Sequence, residues 1–260
     1  MKNTRIFCFF ALLYLCSLTA SMAQPTPVFG FDLAPVSARY KISEGFRING
    51  VPYFSRPLLS YSVGLMGGLR FGDRIALVLN PSFTQLGSIY ETEGDDRALS
   101  YTDKSGKQTD FTGYASFKEK YTSLRIPLLL QVTALKFGER FGITVGAGAA
   151  YNVHFKGKQD LVYTDVVNNE VYTDDPTDLK FGGRQAIYVK NTPSLLVSPG
   201  LYYQLDEDGG FRLTFESRFE IGAKDLIHSS TRSRVDVDGT LKQNATYFKV
   251  GLVICPGCVF

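Results

Sequence analysis

Cys255-Pro256-Gly257-Cys258 is the first place in this chain where residue type and spacing suggest chemistry. Two thiols separated by two residues can cycle between dithiol and disulfide, or supply half of a zinc tetrad. Redox work needs the first thiolate held at a helix N-terminus, and nothing around Cys255 predicts a helix. No second Cys pair and no nearby His completes a metal site. In an oxidising compartment the pair reads as a structural disulfide, Cys255 to Cys258, or as a tolerated thiol pair.

The chain holds two histidines, His154 and His228. His228 stands with Ser229, Ser230 and Asp225, the residue types of a hydrolytic triad, but adjacency in sequence does not align a base with a nucleophile. Asp160, Asp165, Glu170, Asp174, Asp175 and Asp178 form an acidic stretch without the ligand spacing or the central Gly of a calcium loop. No phosphate-cradling or dinucleotide fingerprint follows a strand. The expectation is therefore no catalytic residue, no metal and no cofactor.

More informative is a second polar set: Asp32, Arg70, Asn80, Arg125, Gln131, Arg212, Glu216, Arg218, Glu220 and Lys249. Each falls on one parity of a segment whose other parity is apolar. Between Phe211 and Gly222, for example, Phe211, Leu213, Phe215, Phe219 and Ile221 share one face, while Arg212, Thr214, Glu216, Arg218 and Glu220 share the other. Successive strand side chains point to opposite sides, so these are β-strands with one greasy and one charged face.

About eight such strands are expected, near 27–37, 58–71, 74–87, 118–134, 141–155, 193–205, 211–222 and 245–255. Their connections alternate in length. Gly72-Asp73, Lys136 to Arg140 and Asp206 to Gly210 are tight and polar, whereas 38–57, 88–117, 156–192 and 223–244 are long. Long unstructured loops count against a compact soluble domain. They are what a transmembrane barrel shows on its outer side. The expected fold is all-β: an eight-stranded antiparallel up-and-down transmembrane β-barrel, with the ten polar residues meeting in its lumen. Pro81, Pro127 and Pro199 fall inside strands, where each removes a ladder hydrogen bond, so bulges or local irregularities are expected there.

Residues 1–23 carry Lys2 and Arg5, an apolar run from Ile6 to Leu18 and a Ser21-Met22-Ala23 cleavage pattern, the signature of an export signal. Residues 24–260 would then be the barrel domain. The signal takes two of the 28 Lys and Arg, leaving charge nearly balanced against 25 Asp and Glu, which argues against nucleic acid as a partner. Inside the barrel five cations face three anions. The reading is a salt-bridged structural filling; the sharper alternative is an anion-preferring path.

The stretch Tyr121 to Val132, YTSLRIPLLLQV, together with SPGLYYQL at 198–205, resembles the PorT-like outer-membrane β-barrel family of Bacteroidota. The resemblance implies architecture and compartment more than activity: a barrel in the cell outer membrane among lipid, in a family some of whose members act in protein secretion. The residues themselves lead to the expectation of no enzyme activity and of a monomer, delivered by barrel-insertion machinery, whose long loops face outward in a structural or interaction role towards an envelope or secretion partner. Alternatives are a lipid-modifying barrel enzyme, a small passive channel and a soluble periplasmic carrier of lipocalin type. The C-terminus departs from the simple pattern: either Phe260 carries the aromatic insertion signal, or Phe248 to Ile254 does and the tail is an appendix.

Overall fold

The computed structural model describes residues 25–256, apart from 49, 73, 93, 95–96, 183–185, 207–209 and 233–235. The expected export signal and Cys258 lie outside the described residues. Among the described residues fifteen strands form in chain order. Nine of them build the wall: β1 (Pro25–Ile42), β4 (Leu58–Phe71), β5 (Ile75–Leu79), β6 (Ser82–Thr92), β8 (Gln108–Phe137), β9 (Phe141–Asp165), β12 (Asn191–Gln204), β13 (Phe211–Gly222) and β15 (Leu241–Ile254). β5 and β6 are two halves of one wall strand, so the ring has eight members. Each pairs antiparallel with its neighbours, and β15 returns to pair with β1, which closes the sheet. Closure leaves the wall without a free edge, which a bilayer demands of any sheet that crosses it.

The prolines are accommodated by missing rungs rather than by bulges. β5 and β6 are separated by Asn80 and Pro81, yet both halves keep one register against β8 (Leu79 with Leu128, Ser82 with Arg125). Pro199 leaves a gap between Val197–Phe219 and Gly200–Glu216 without a shift. Pro127 stays paired with Ala150. The register shifts between β8 and β9 fall elsewhere, at Thr122/Ser123 and Thr133/Leu135. A proline lacks its own N–H, so a ladder hydrogen bond is lost while the register on either side is kept.

The polarity is inside-out. Phe29, Phe31, Leu33, Leu59, Leu65, Phe83, Leu128, Phe215 and Phe248 are exposed on the outer face. Arg125, Arg218 and Asn80 are buried inside. At the short-turn end, Phe71, Phe137, Phe141, Tyr203 and Phe211 flank the turns as an aromatic girdle. Two of those turns use Gly72 (φ 60°) and Gly138 (φ 62°), whose left-handed backbone a side chain would strain.

At the other end much of the first three long connections is sheet, whereas the fourth is mostly irregular among the described residues. β8 and β9 continue well beyond the apolar belt, and three short strands lengthen them: β7 (Arg97–Thr102) on β8, and β10 (Glu170–Thr173) and β11 (Thr177–Leu179) on β9. β3 (Val51–Arg56) pairs with β6, while β2 (Arg47–Ile48) and β14 (Val237–Asp238) pair with each other over the mouth. The β7–β8 turn is pinned by Asp103, whose carboxylate accepts from the Ser105 hydroxyl at 2.6 Å and from the Lys107 amide at 2.9 Å. The Ser105 hydroxyl holds this carboxyl below its ordinary range.

Candidate functional site

The lumen is layered. At the short-turn end Val28, Met66, Val78, Val253 and Cys255 make an apolar plug. Cys255 is disulfide-bonded; Cys258, its expected partner, lies outside the described residues. Above the plug comes the polar set read from parity. Nine of its ten members are buried and Gln131 is partly so.

Two hubs organise that layer. In the first, Lys249 Nζ sits 2.8 Å from Asp32 Oδ2, and Asn80 Nδ2 donates to the same oxygen at 2.7 Å. Asn80 Oδ1 accepts from Lys249 and from Arg218 Nη1, the latter at 2.9 Å. Arg218 Nη2 reaches Glu216 Oε2 at 2.9 Å, and Gln131 and Ser198 also donate to Glu216. In the second hub Arg125 pairs with Glu220 at 2.5 Å, Asn152 and Ser194 donate to the same carboxylate, and the Arg125 guanidinium lies 4.3 Å over the Tyr247 ring. Arg70 and Arg212 stand apart from both hubs, towards the short turns: Arg70 donates to the Gly72 carbonyl at 3.0 Å, and Arg212 lies 4.7 Å over the Tyr202 ring. Inward glycines make the room. A Cβ on Gly64 would come within 3.0 Å of Asp32 and 3.1 Å of Asn80, and one on Gly200 within 2.9 Å of Glu216. Leu196, an apolar residue on the inward parity, packs with Leu129 and Ala150.

The third layer is a departure from the expected polar lumen. Towards the long loops the inner face turns aromatic and apolar, through Val36, Tyr40, Leu86, Tyr90, Tyr121, Tyr188, Leu226 and Tyr247. Buried among these is Glu119, 0% exposed. Its Oε2 accepts from Tyr40 at 2.5 Å; its Oε1 accepts from Tyr188 at 2.7 Å, Gln159 at 2.7 Å and Tyr90 at 3.1 Å. Four uncharged donors thus replace the counter-ion that a buried carboxylate ordinarily requires. Lys118 and Lys120 occupy the outward positions on either side, whereas Leu124, Ile126 and Leu128 occupy them further down, so Glu119 stands above the apolar belt. Parity could have flagged it, since it shares a face with Arg125 and Gln131. Its tyrosine partners come from distant segments, and no local signal links them.

Glu119→Leu should strand three hydroxyls. Each unsatisfied buried group costs about 1–3 kcal/mol, so this variant should lose several times what Glu119→Gln loses, as read by urea unfolding of the detergent-folded protein.

Beside this cage lies a cavity of about 260 Å³, lined by Ile42, Phe46, Tyr53, Phe117, Ile187 and Ile227 among others. Tyr90 stacks on Phe117 at 4.8 Å, with Tyr53 edge-on to both.

His154 is also inward and buried, with Nδ1 2.6 Å from Ser123 Oγ and Nε2 2.9 Å from Thr192 Oγ1. Two hydroxyls therefore occupy the ring, and no carboxylate among the described residues is bonded to it. Asp225 is committed to loop structure, accepting from Arg232 and from the amides of Ile227 and Leu241. Among the described residues no cluster of His, Cys, Asp and Glu could hold a metal ion.

A closed eight-stranded ring has an apolar outer wall, a charged middle and short turns at one end. This is the architecture of an outer-membrane β-barrel. Similar solved structures include Neisserial surface protein A (12% identity, 89% of this chain and 98% of that one, TM-score 0.42). Others are the outer membrane protein OprG from Pseudomonas aeruginosa (16%, 90% and 94%, TM-score 0.36) and the outer membrane protease OmpT from Escherichia coli (10%, 88% and 96%, TM-score 0.37). No protein-family model matches the chain, and no curated protein matches it in sequence. What makes it a membrane barrel is its own polarity. The carrier of lipocalin type would need an apolar ligand chamber through its centre; here the centre is ionic.

Proposed function

We propose that this outer-membrane barrel is a plugged anchor with a structural or interaction role and no catalysis, raising a rigid sheet above the outer leaflet for an envelope or secretion partner. The observation that carries this reading is the filled mid-lumen, where Arg125–Glu220 and the Asp32–Lys249–Asn80–Arg218–Glu216 chain take the space a channel would need. Eight strands enclose room for side chains and little else. The four protruding connections, extended by β7, β10 and β11, are the surface left for recognition. The PorT-like resemblance of Tyr121 to Val132 supports an envelope or secretion assembly as the setting. A monomer inserted by barrel-assembly machinery, surrounded by lipid and without nucleic acid, completes the proposal.

The full chain should fractionate with outer membranes and migrate differently on a gel when unboiled. Purified into planar bilayers, it should give no ion conductance. Steady unitary conductance would replace the anchor with a channel.

A further inference from the structure

We propose that the outer mouth binds an uncharged, predominantly apolar small molecule in the cavity beside the Glu119 cage. This site is independent of the anchoring role above. Protein interiors hold few voids larger than a water molecule, yet about 260 Å³ stands open here. An apolar cavity of roughly 150 Å³ accepts benzene, so by scale this one accepts about ten non-hydrogen atoms.

The lining decides the chemical class. Phe46, Tyr53, Phe117 and Ile227 present carbon, and they come from separate segments that converge on one space. Of the polar side chains in its lining, four are already engaged and none carries a charge. Tyr90 and Tyr188 donate to Glu119, and Gln159 donates to Tyr90 at 2.6 Å and to Glu119. Thr231, on the one-turn helix Ser229–Arg232, donates to the Ala186 carbonyl at 2.8 Å. A charged ligand would have to break these bonds or enter without partners, which costs far more than it gains. An apolar molecule needs only the space and the ring faces. The Glu119 cage then serves as a fixed floor: by tying Tyr40, Tyr90 and Tyr188 to one carboxylate, it stops those rings from swinging into the void.

The test uses the full chain folded in detergent, with 1-naphthol as probe and 1-naphthalenesulfonate as its charged counterpart. Saturable binding of 1-naphthol by calorimetry is expected, at least tenfold tighter than the sulfonate. Ile187→Trp and Ile48→Trp each add bulk to the cavity lining from elements outside the barrel wall, and either should weaken 1-naphthol binding at least tenfold. Unboiled gel mobility identifies which variants have folded, and one folded variant suffices. Non-saturable uptake, equal binding of the sulfonate, or unchanged binding in a folded Trp variant would show partition into detergent and overturn the site.

Discussion

Arg125→Met should lower the unfolding free energy of the detergent-folded barrel by about 3–5 kcal/mol, the usual cost of stranding one member of a buried ion pair. Both partners are almost inaccessible: the Arg125 side chain is 1% exposed and that of Glu220 5%. Methionine approximates the length of the arginine stem, so the loss is chiefly that of charge. The Glu220 carboxylate would keep Asn152 and Ser194 as donors but lose its only bonded cation among the described residues. The double variant Arg125→Met/Glu220→Leu should recover most of the loss, because apolar replacement of a whole buried pair is often neutral or better. Equal urea midpoints for Arg125→Met and the parent would mean that the pair does not hold the lumen together.

On the opposite face of the same strand, Leu128→Arg should cost about 2–4 kcal/mol, the penalty for a cation at the bilayer midplane. Leu128 is half exposed in the middle of the apolar belt. Thr122→Arg, also outward but beside Lys120 at the belt's upper limit, should cost at most about 1 kcal/mol. Folding into vesicles, followed by the heat-modified band, reads both. Similar losses at the two positions would contradict a depth-dependent lipid surface. Together with Arg125→Met, this pair probes both faces of one strand: in a soluble sandwich Arg125 would be free in water and its replacement would cost little, whereas Leu128→Arg would be destabilising in either fold.

The parts of this fold legible in the sequence were those governed by a period of two. The alternation in Phe211–Gly222 placed Glu216, Arg218 and Glu220 inside and Phe215 outside, as the structure has them. The tight connections Gly72-Asp73, Lys136 to Arg140 and Asp206 to Gly210 identified which strands are neighbours. Two things escaped. The upper parts of β8 and β9 carry Lys118, Lys120, Lys156 and Lys158 outward, so hydrophobic alternation fades there although the ladder continues. Loop-like composition reported the solvent around these residues, not their backbone. The Glu119 cage escaped because it is assembled by closure: Tyr40, Tyr90 and Tyr188 lie on different segments, and only the ring brings them to one carboxylate. Of the three prolines, Pro81 interrupts its strand and Pro199 its ladder to β13, local irregularities without bulges, while Pro127 stays paired with Ala150.

A bilayer-crossing strand needs about 9–11 residues, and β8 runs unbroken for 30. Its crest, where Tyr101 stacks on Tyr172 at 5.2 Å, is thus joined to the lipid-embedded cylinder by continuous pleated backbone with no pliant tether between. A protein that seized that crest would also dictate the azimuth and lean of the whole cylinder, as a hand on a bolt head turns the shank.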